Sequence, residues 1–116
     1  MAKFNKTLIL SFKDKILGKE YELGIGFVSE KKIRRLNRIY RKKDKVTDIL
    51  AFPISPKGGD LVISLSQVKK KALLWKQSEN TYFNFLIIHG LLHLKGYNHG
   101  KIMEKLEKKW INFFNS

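Results

Sequence analysis

Apolar residues in this chain fall into short runs whose spacing changes along its length, which predicts alternating strands and helices without repeats. Thr7 to Phe12 is an apolar run rich in Leu and Ile, bounded by lysines, and reads as a strand. Lys13 to Lys19 contains Gly18 and reads as a turn or a short helical piece. Tyr21, Leu23, Ile25 and Phe27 alternate with Glu22, Gly24 and Gly26, the period of a half-buried strand. The two glycines leave one face bare, so either another backbone approaches there or the strand bends. Ser29 caps a helix starting at Glu30, whose charge suits the helix dipole, and Ile33, Leu36 and Tyr40 follow at helical spacing. Asp48 to Ile54 is a strand, Pro56-Lys57-Gly58-Gly59 a turn, and Asp60 to Ser64 the next strand. Their short connection makes those two strands antiparallel neighbours.

Farther on, Ser66 caps a helix with Val68, Ala72 and Trp75 inward and Lys69, Lys70, Lys71 and Lys76 outward. Ser78 and Glu79 open a helix to Lys95 that is apolar almost all round (Phe83, Phe85, Leu86, Ile87, Ile88, Leu91, Leu92, Leu94). Such a helix belongs in the middle of a fold. Ile102, Leu106, Trp110 and Phe113 define a last amphipathic helix, with Trp110 and Phe114 assigned to the core rather than to base stacking. The pattern is α+β: a mixed four-stranded sheet against the Ser78–Lys95 helix, in one domain over residues 1–116.

Composition narrows the class. At 116 residues and 43% hydrophobic content the chain is globular, and no run approaches the roughly 20 apolar residues needed to span a bilayer. Met1 to Lys6 lacks the apolar region of a signal peptide, and there is no cysteine, so the chain reads as cytoplasmic with no membrane partner. Twenty-four Lys plus Arg against 10 Asp plus Glu give a net charge of +14, which suits a polyanionic partner. Part of that excess is plain surface lysine. Lys31, Lys32, Arg34, Arg35, Arg38, Arg41, Lys42 and Lys43 concentrate it on one helix.

All three histidines fall between Ile88 and His99. His89 and His93, four apart on a helix, present both imidazoles on one face. Gly96 can take the left-handed conformation that ends the helix, which lets the chain turn and bring His99 to the same point. Three neutral imidazoles make a zinc site with the fourth tetrahedral position open, whereas a structural site would normally use four protein ligands. The spacing favours catalysis.

The segment Ile88-His89-Gly90-Leu91-Leu92-His93-Leu94-Lys95-Gly96-Tyr97-Asn98-His99 resembles the metal motif of the YbeY family, endoribonucleases that act as rRNA maturation factors. Leu36-Asn37-Arg38-Ile39-Tyr40-Arg41-Lys42-Lys43-Asp44 with Thr47-Asp48-Ile49-Leu50-Ala51-Phe52-Pro53 is similar to a second block of that family. Gly59-Asp60-Leu61-Val62-Ile63-Ser64 is similar to a third, and the order of all three agrees from about Tyr21 to the last helix. The resemblance implies a zincin-like architecture with one Zn2+ per chain on His89, His93 and His99. It also implies a catalytic Arg41, whose fork holds two phosphate oxygens where a lysine offers a point charge. Arg38, Lys42 and Lys43 are candidate RNA contacts beside it. The implied activity is single-strand-specific, metal-dependent endonuclease cleavage in maturation of the 3′ end of small-subunit 16S rRNA and in ribosome quality control. Its partner would be the small subunit.

The motif differs from that of the His-Glu-x-x-His proteases, because Gly90 stands where their general base would be. Peptide hydrolysis is therefore disfavoured, while a phosphodiester needs only an activated oxygen and stabilised charge. Whether the attacking oxygen is water's or the RNA's own 2′-hydroxyl is not specified by these residues. Asn98 stands where the family usually has aspartate, and Gly100-Lys101-Ile102-Met103 replaces a longer acidic segment, so negative charge is removed near the metal. A ribosome-associated RNA-binding factor with a purely structural metal is the alternative from another class, and a zinc hydrolase of small molecules is a third.

Overall fold

In the computed structural model, which describes residues 5–115, the elements run α1 (Lys6–Ile16), β1 (Glu22–Phe27), α2 (Glu30–Arg41), β2 (Ile49–Ser55), β3 (Gly58–Ile63), α3 (Leu65–Leu74), α4 (Glu79–Lys95) and α5 (Lys101–Asn115). Ser116 and Met1–Phe4, the first four residues of the Met1–Lys6 stretch considered above, lie outside the described residues. The class is α+β as expected, but the sheet has three strands among the described residues, not four.

The difference lies at Thr7–Phe12, which is part of α1. Asn5 caps that helix by accepting from the Leu8 N–H at 3.0 Å. Ile9, Phe12, Lys13 and Ile16 form its buried stripe at helical spacing. Lys13 belongs to that stripe because its ammonium reaches the Lys19 carbonyl at 3.0 Å and the Asp14 carboxylate at 2.6 Å while its stem lies in the core. Lys95 of α4 donates to the Ile16 carbonyl at 2.9 Å, which ties the end of α1 to the central helix.

β3 lies in the middle of the sheet, parallel to β1 and antiparallel to β2, so the sheet is mixed as expected. β2 is an edge strand whose register breaks between Pro53 and Ser55, where proline could not serve a ladder. The bare face at Gly24 is filled by the carboxylate of its cross-strand partner Asp60, a side chain and not a second backbone.

α4 packs on this sheet through Gly90. A methyl group at that position would collide with Ile49 of β2 and Leu61 of β3, so glycine is what allows helix and sheet to approach. Ile87, Ile88, Leu91 and Leu92 are fully buried around it, which makes α4 the centre of the fold. Ser78 caps its start, accepting from Thr81 N–H at 3.0 Å, and Gly96 ends it at φ 112°, as the sequence predicts.

Three expectations for the later helices need correction. Ser64, not Ser66, caps α3, because the chain bends immediately after β3. Ser66 instead donates to Glu30 at 2.5 Å, and Lys70 reaches the same carboxylate at 3.0 Å, joining α3 to the start of α2. Trp75 ends α3 with 64% of its surface exposed, since Val68 and Ala72 already cover the core there. In α5 the inward stripe is shifted by one position. Met103 and Glu107 are buried, with Leu106, Trp110, Ile111 and Phe114 packed around the core, while Ile102 and Phe113 face outward.

Candidate metal centre

His89 and His93 project from one face of α4, and the left-handed turn at Gly96 returns the chain so that His99 completes the group. One ligand atom from each imidazole lies within 4.8 Å of the others. The rings are separated by 4.7 Å between His89 and His93, 4.9 Å between His89 and His99, and 4.7 Å between His93 and His99.

Hydrogen bonding on the far side of two rings fixes their tautomers. His93 Nδ1–H donates to the Tyr97 carbonyl at 2.9 Å, a bond that the turn after α4 creates. His89 Nδ1 lies 2.5 Å from the carboxylate of Glu107, which can only accept. With both rings neutral, as metal binding requires, each Nε2 carries a lone pair, and the two Nε2 atoms lie 3.2 Å apart. Two such lone pairs repel unless a cation lies between them. Bonds of about 2.0–2.1 Å in tetrahedral geometry separate two ligand nitrogens by roughly 3.3 Å, so the donor set fits one metal ion. Burial pushes the His93 pKa below the usual imidazole value, and the neighbouring His89, His99 and Arg41 push it the same way against the Tyr97 hydrogen bond. A neutral ligand is favoured. His99 is exposed and keeps one side of the group open to solvent.

A cleft of about 490 Å³ contains the three histidines together with Arg41, Lys43, Lys45, Asp48, Lys71, Tyr82 and Asn98. Arg41, the last residue of α2, donates to the Ala51 carbonyl on the edge strand, and its guanidinium lies 5.8 Å from the Phe52 ring centre. A guanidinium carries five N–H donors, and the bond to Ala51 engages one of them. Lys43 shares the cleft. Lys42 does not line it: it ends α2 in a left-handed conformation at φ 58°. Arg38 lines a separate shallow groove on the outer face of α2.

Sequence reasoning missed two features. Glu107 comes from α5, and the signal for it was an acid inside an otherwise apolar stripe of Met103, Leu106 and Trp110. Asp48 is buried in the cleft wall, where Tyr82 OH donates to it at 2.6 Å and the Lys71 ammonium lies 3.4 Å away. Burial, followed by that Asp48 contact, pushes the Tyr82 pKa well above the usual phenol value. Asn98 lines the cleft but, among the described residues, holds neither the His89 nor the His93 ring: their Nδ1 atoms go to Glu107 and Tyr97.

Comparison with known proteins agrees with this arrangement. The family described as Endoribonuclease YbeY matches residues 1–115. An endoribonuclease YbeY of Alkaliphilus metalliredigens is 36% identical over 115 residues, covering 90% of this chain and 74% of the relative. One from Wigglesworthia glossinidia brevipalpis is 39% identical over 122 aligned positions, covering 94% and 77%. A solution structure of a Thermotoga maritima protein superposes with a TM-score of 0.62 at 26% identity, over 95% of this chain and 83% of that one.

Proposed function

Because this chain belongs to the YbeY endoribonuclease family, we propose that it is a metal-dependent endoribonuclease that cuts single-stranded RNA in ribosomal RNA processing. The observation that carries this reading is the pair of facing Nε2 atoms at 3.2 Å in a cleft shared with Arg41 and three lysines. His89, His93 and His99 would hold one zinc ion, and residues 1–116 act as a single domain around it. Zinc bound there would supply a Lewis acid that makes water more acidic and attracts the negative charge of a phosphodiester.

The chain's own residues do the rest. Lys43, Lys45 and Lys71 draw the RNA backbone into the cleft, and the fork of Arg41 grips non-bridging phosphate oxygens, where charge grows as the phosphodiester is attacked. Gly90 has no side chain to act as a protease base, and Ile49 and Leu61 fill the space in which one would stand. The net charge of +14 supports a polyanionic substrate. In finer detail, the substrate is the 3′ end of small-subunit 16S rRNA, with a part in ribosome quality control, in the cytoplasm and on the small subunit. Among the described residues, no helix is long and apolar enough to cross a membrane.

The test is cleavage of a single-stranded RNA spanning the 3′ end of small-subunit rRNA, before and after chelation and re-addition of Zn2+. Cleavage lost and restored in step with the metal supports the proposal. RNA binding without turnover at any metal concentration would instead favour an RNA-binding factor with a structural metal.

A further inference from the structure

Glu107 reaches the metal centre from α5, outside the histidine segment, and we propose that it is a positioning residue that sets His89 for metal binding. The inference rests on the reading of the three histidines as a metal site.

Three observations carry it. Glu107 is 7% exposed, and its carboxylate lies 2.5 Å from His89 Nδ1. Its helical neighbours on the inward face, Met103, Leu106 and Trp110, are apolar, so the carboxylate is desolvated on a stripe that would otherwise be continuous hydrocarbon. Among the described residues, His89 is the only partner in its ion pairs, with no lysine or arginine on it. A buried carboxylate facing a single imidazole is costly as a stability device. It makes sense when that imidazole carries positive charge from a metal on its other nitrogen.

The geometry specifies what the contact does. A carboxylate on Nδ1 holds the proton there, leaves the Nε2 lone pair free, and makes that nitrogen a stronger donor. It also fixes the ring plane, which α4 alone leaves free to rotate. Asn98 does not take this part: the position is exposed and the two α4 rings are held by other groups. In this chain the negative charge that orients His89 thus comes from α5. A consequence is that α5 is part of the metal centre as well as of the core.

The experiment compares wild type, Glu107→Ala, Glu107→Gln and Met103→Ala as full-length proteins, each first stripped of metal. Zn2+ affinity is measured by competition with a chromophoric chelator, and the His89 tautomer in the metal-free protein by long-range ¹H–¹⁵N correlation. Loss of an orienting partner of a metal ligand typically costs 10–100-fold in affinity, so Glu107→Ala should bind Zn2+ about 10–100-fold more weakly. Its His89 should shift toward the Nε2–H tautomer. Glu107→Gln should lose less affinity and keep the Nδ1–H tautomer, because its amide oxygen still accepts the bond. Met103→Ala loosens α5 without touching His89. It should lower the melting temperature yet leave Zn2+ affinity and tautomer as in wild type. Unchanged affinity in both Glu107 variants overturns the proposal while the metal site stands. An affinity loss in Met103→Ala equal to that in Glu107→Ala overturns it too, by reducing Glu107 to a packing residue. A wild type that takes up no Zn2+ overturns the metal site itself, and the proposal with it.

Discussion

At the scale of single residues, Arg41 and Tyr82 stand in the same cleft but serve it differently. Arg41 is exposed, and its contact with the Ala51 carbonyl is one bond at the surface, so Arg41→Ala should cost the fold no more than about 1 kcal/mol. If its fork meets the phosphate as charge develops, cleavage should slow by about 10²–10³, the usual loss for one such donor. Arg41→Lys should recover only part of that rate. Wild-type turnover in Arg41→Ala, or its unfolding, would remove the residue from the chemistry. Tyr82 is buried and holds Asp48, so Tyr82→Phe leaves a carboxylate short of a donor and should destabilise by about 1–3 kcal/mol. The phenol also has a pH signature. Its folded pKa is raised, so its stabilising effect is complete below the unfolded value near ~10 and is lost as pH rises past it. Alkaline unfolding curves of wild type and Tyr82→Phe should therefore converge as the pH climbs. The histidine cluster was legible in the sequence because residues four apart on one helix share a face. Glu107 and Asp48 were not, since they reach the site from α5 and from the residue just before β2, and no local period links them to α4.

At the scale of elements, the site depends on two glycines that do different work. Gly96 ends α4 at φ 112° with open space around it, so an alanine there meets no neighbour but must adopt a backbone that costs about 1 kcal/mol or more. Gly96→Ala should lower stability by that amount, and Zn2+ affinity further, because the turn carries both His99 and the Tyr97 carbonyl. Gly90 is the reverse case. Its conformation is ordinary, but a methyl group would press into Ile49 and Leu61, and Gly90→Ala should cost about 1–3 kcal/mol through overpacking. Denaturant unfolding of the two metal-free variants checks both figures; a neutral Gly90→Ala would mean that helix and sheet can separate freely. The same physics explains which elements could be read in advance. α2 and α4 carry polar caps followed by clear periods, and both begin where expected, at Ser29 and Ser78. Thr7–Phe12 of α1 reads as a strand because Leu8-Ile9-Leu10 is apolar without interruption, while one of the four residues of the buried stripe, Lys13, is a lysine. Only a carbonyl cluster at the end of that helix, formed in three dimensions, lets Lys13 count as part of the core.

At the scale of the whole molecule, binding of RNA and its cleavage should separate, and the choice of variant matters. His89→Ala would strand the Glu107 carboxylate, and His93→Ala would free the Tyr97 carbonyl, so either change disturbs folding as well as metal. His99 is exposed and its replacement leaves both of those bonds intact, so His99→Ala isolates the metal from the fold. Binding rests on the basic surface instead. Each phosphate neutralised on a single strand contributes about 0.7 to the slope of log affinity against log salt. His99→Ala should keep the wild-type slope and cut nothing. The double variant Lys43→Ala/Lys45→Ala, which removes two cleft cations and no metal ligand, should flatten the slope by up to about 0.7 for each while retaining Zn2+. Filter binding across a salt series, with cleavage measured in parallel, decides between the two classes of function. If His99→Ala still cleaves at the wild-type rate, the histidine group is not the catalytic centre. If neither lysine alters the slope, RNA binds elsewhere, and the groove of α2 that holds Arg38 becomes the surface to test.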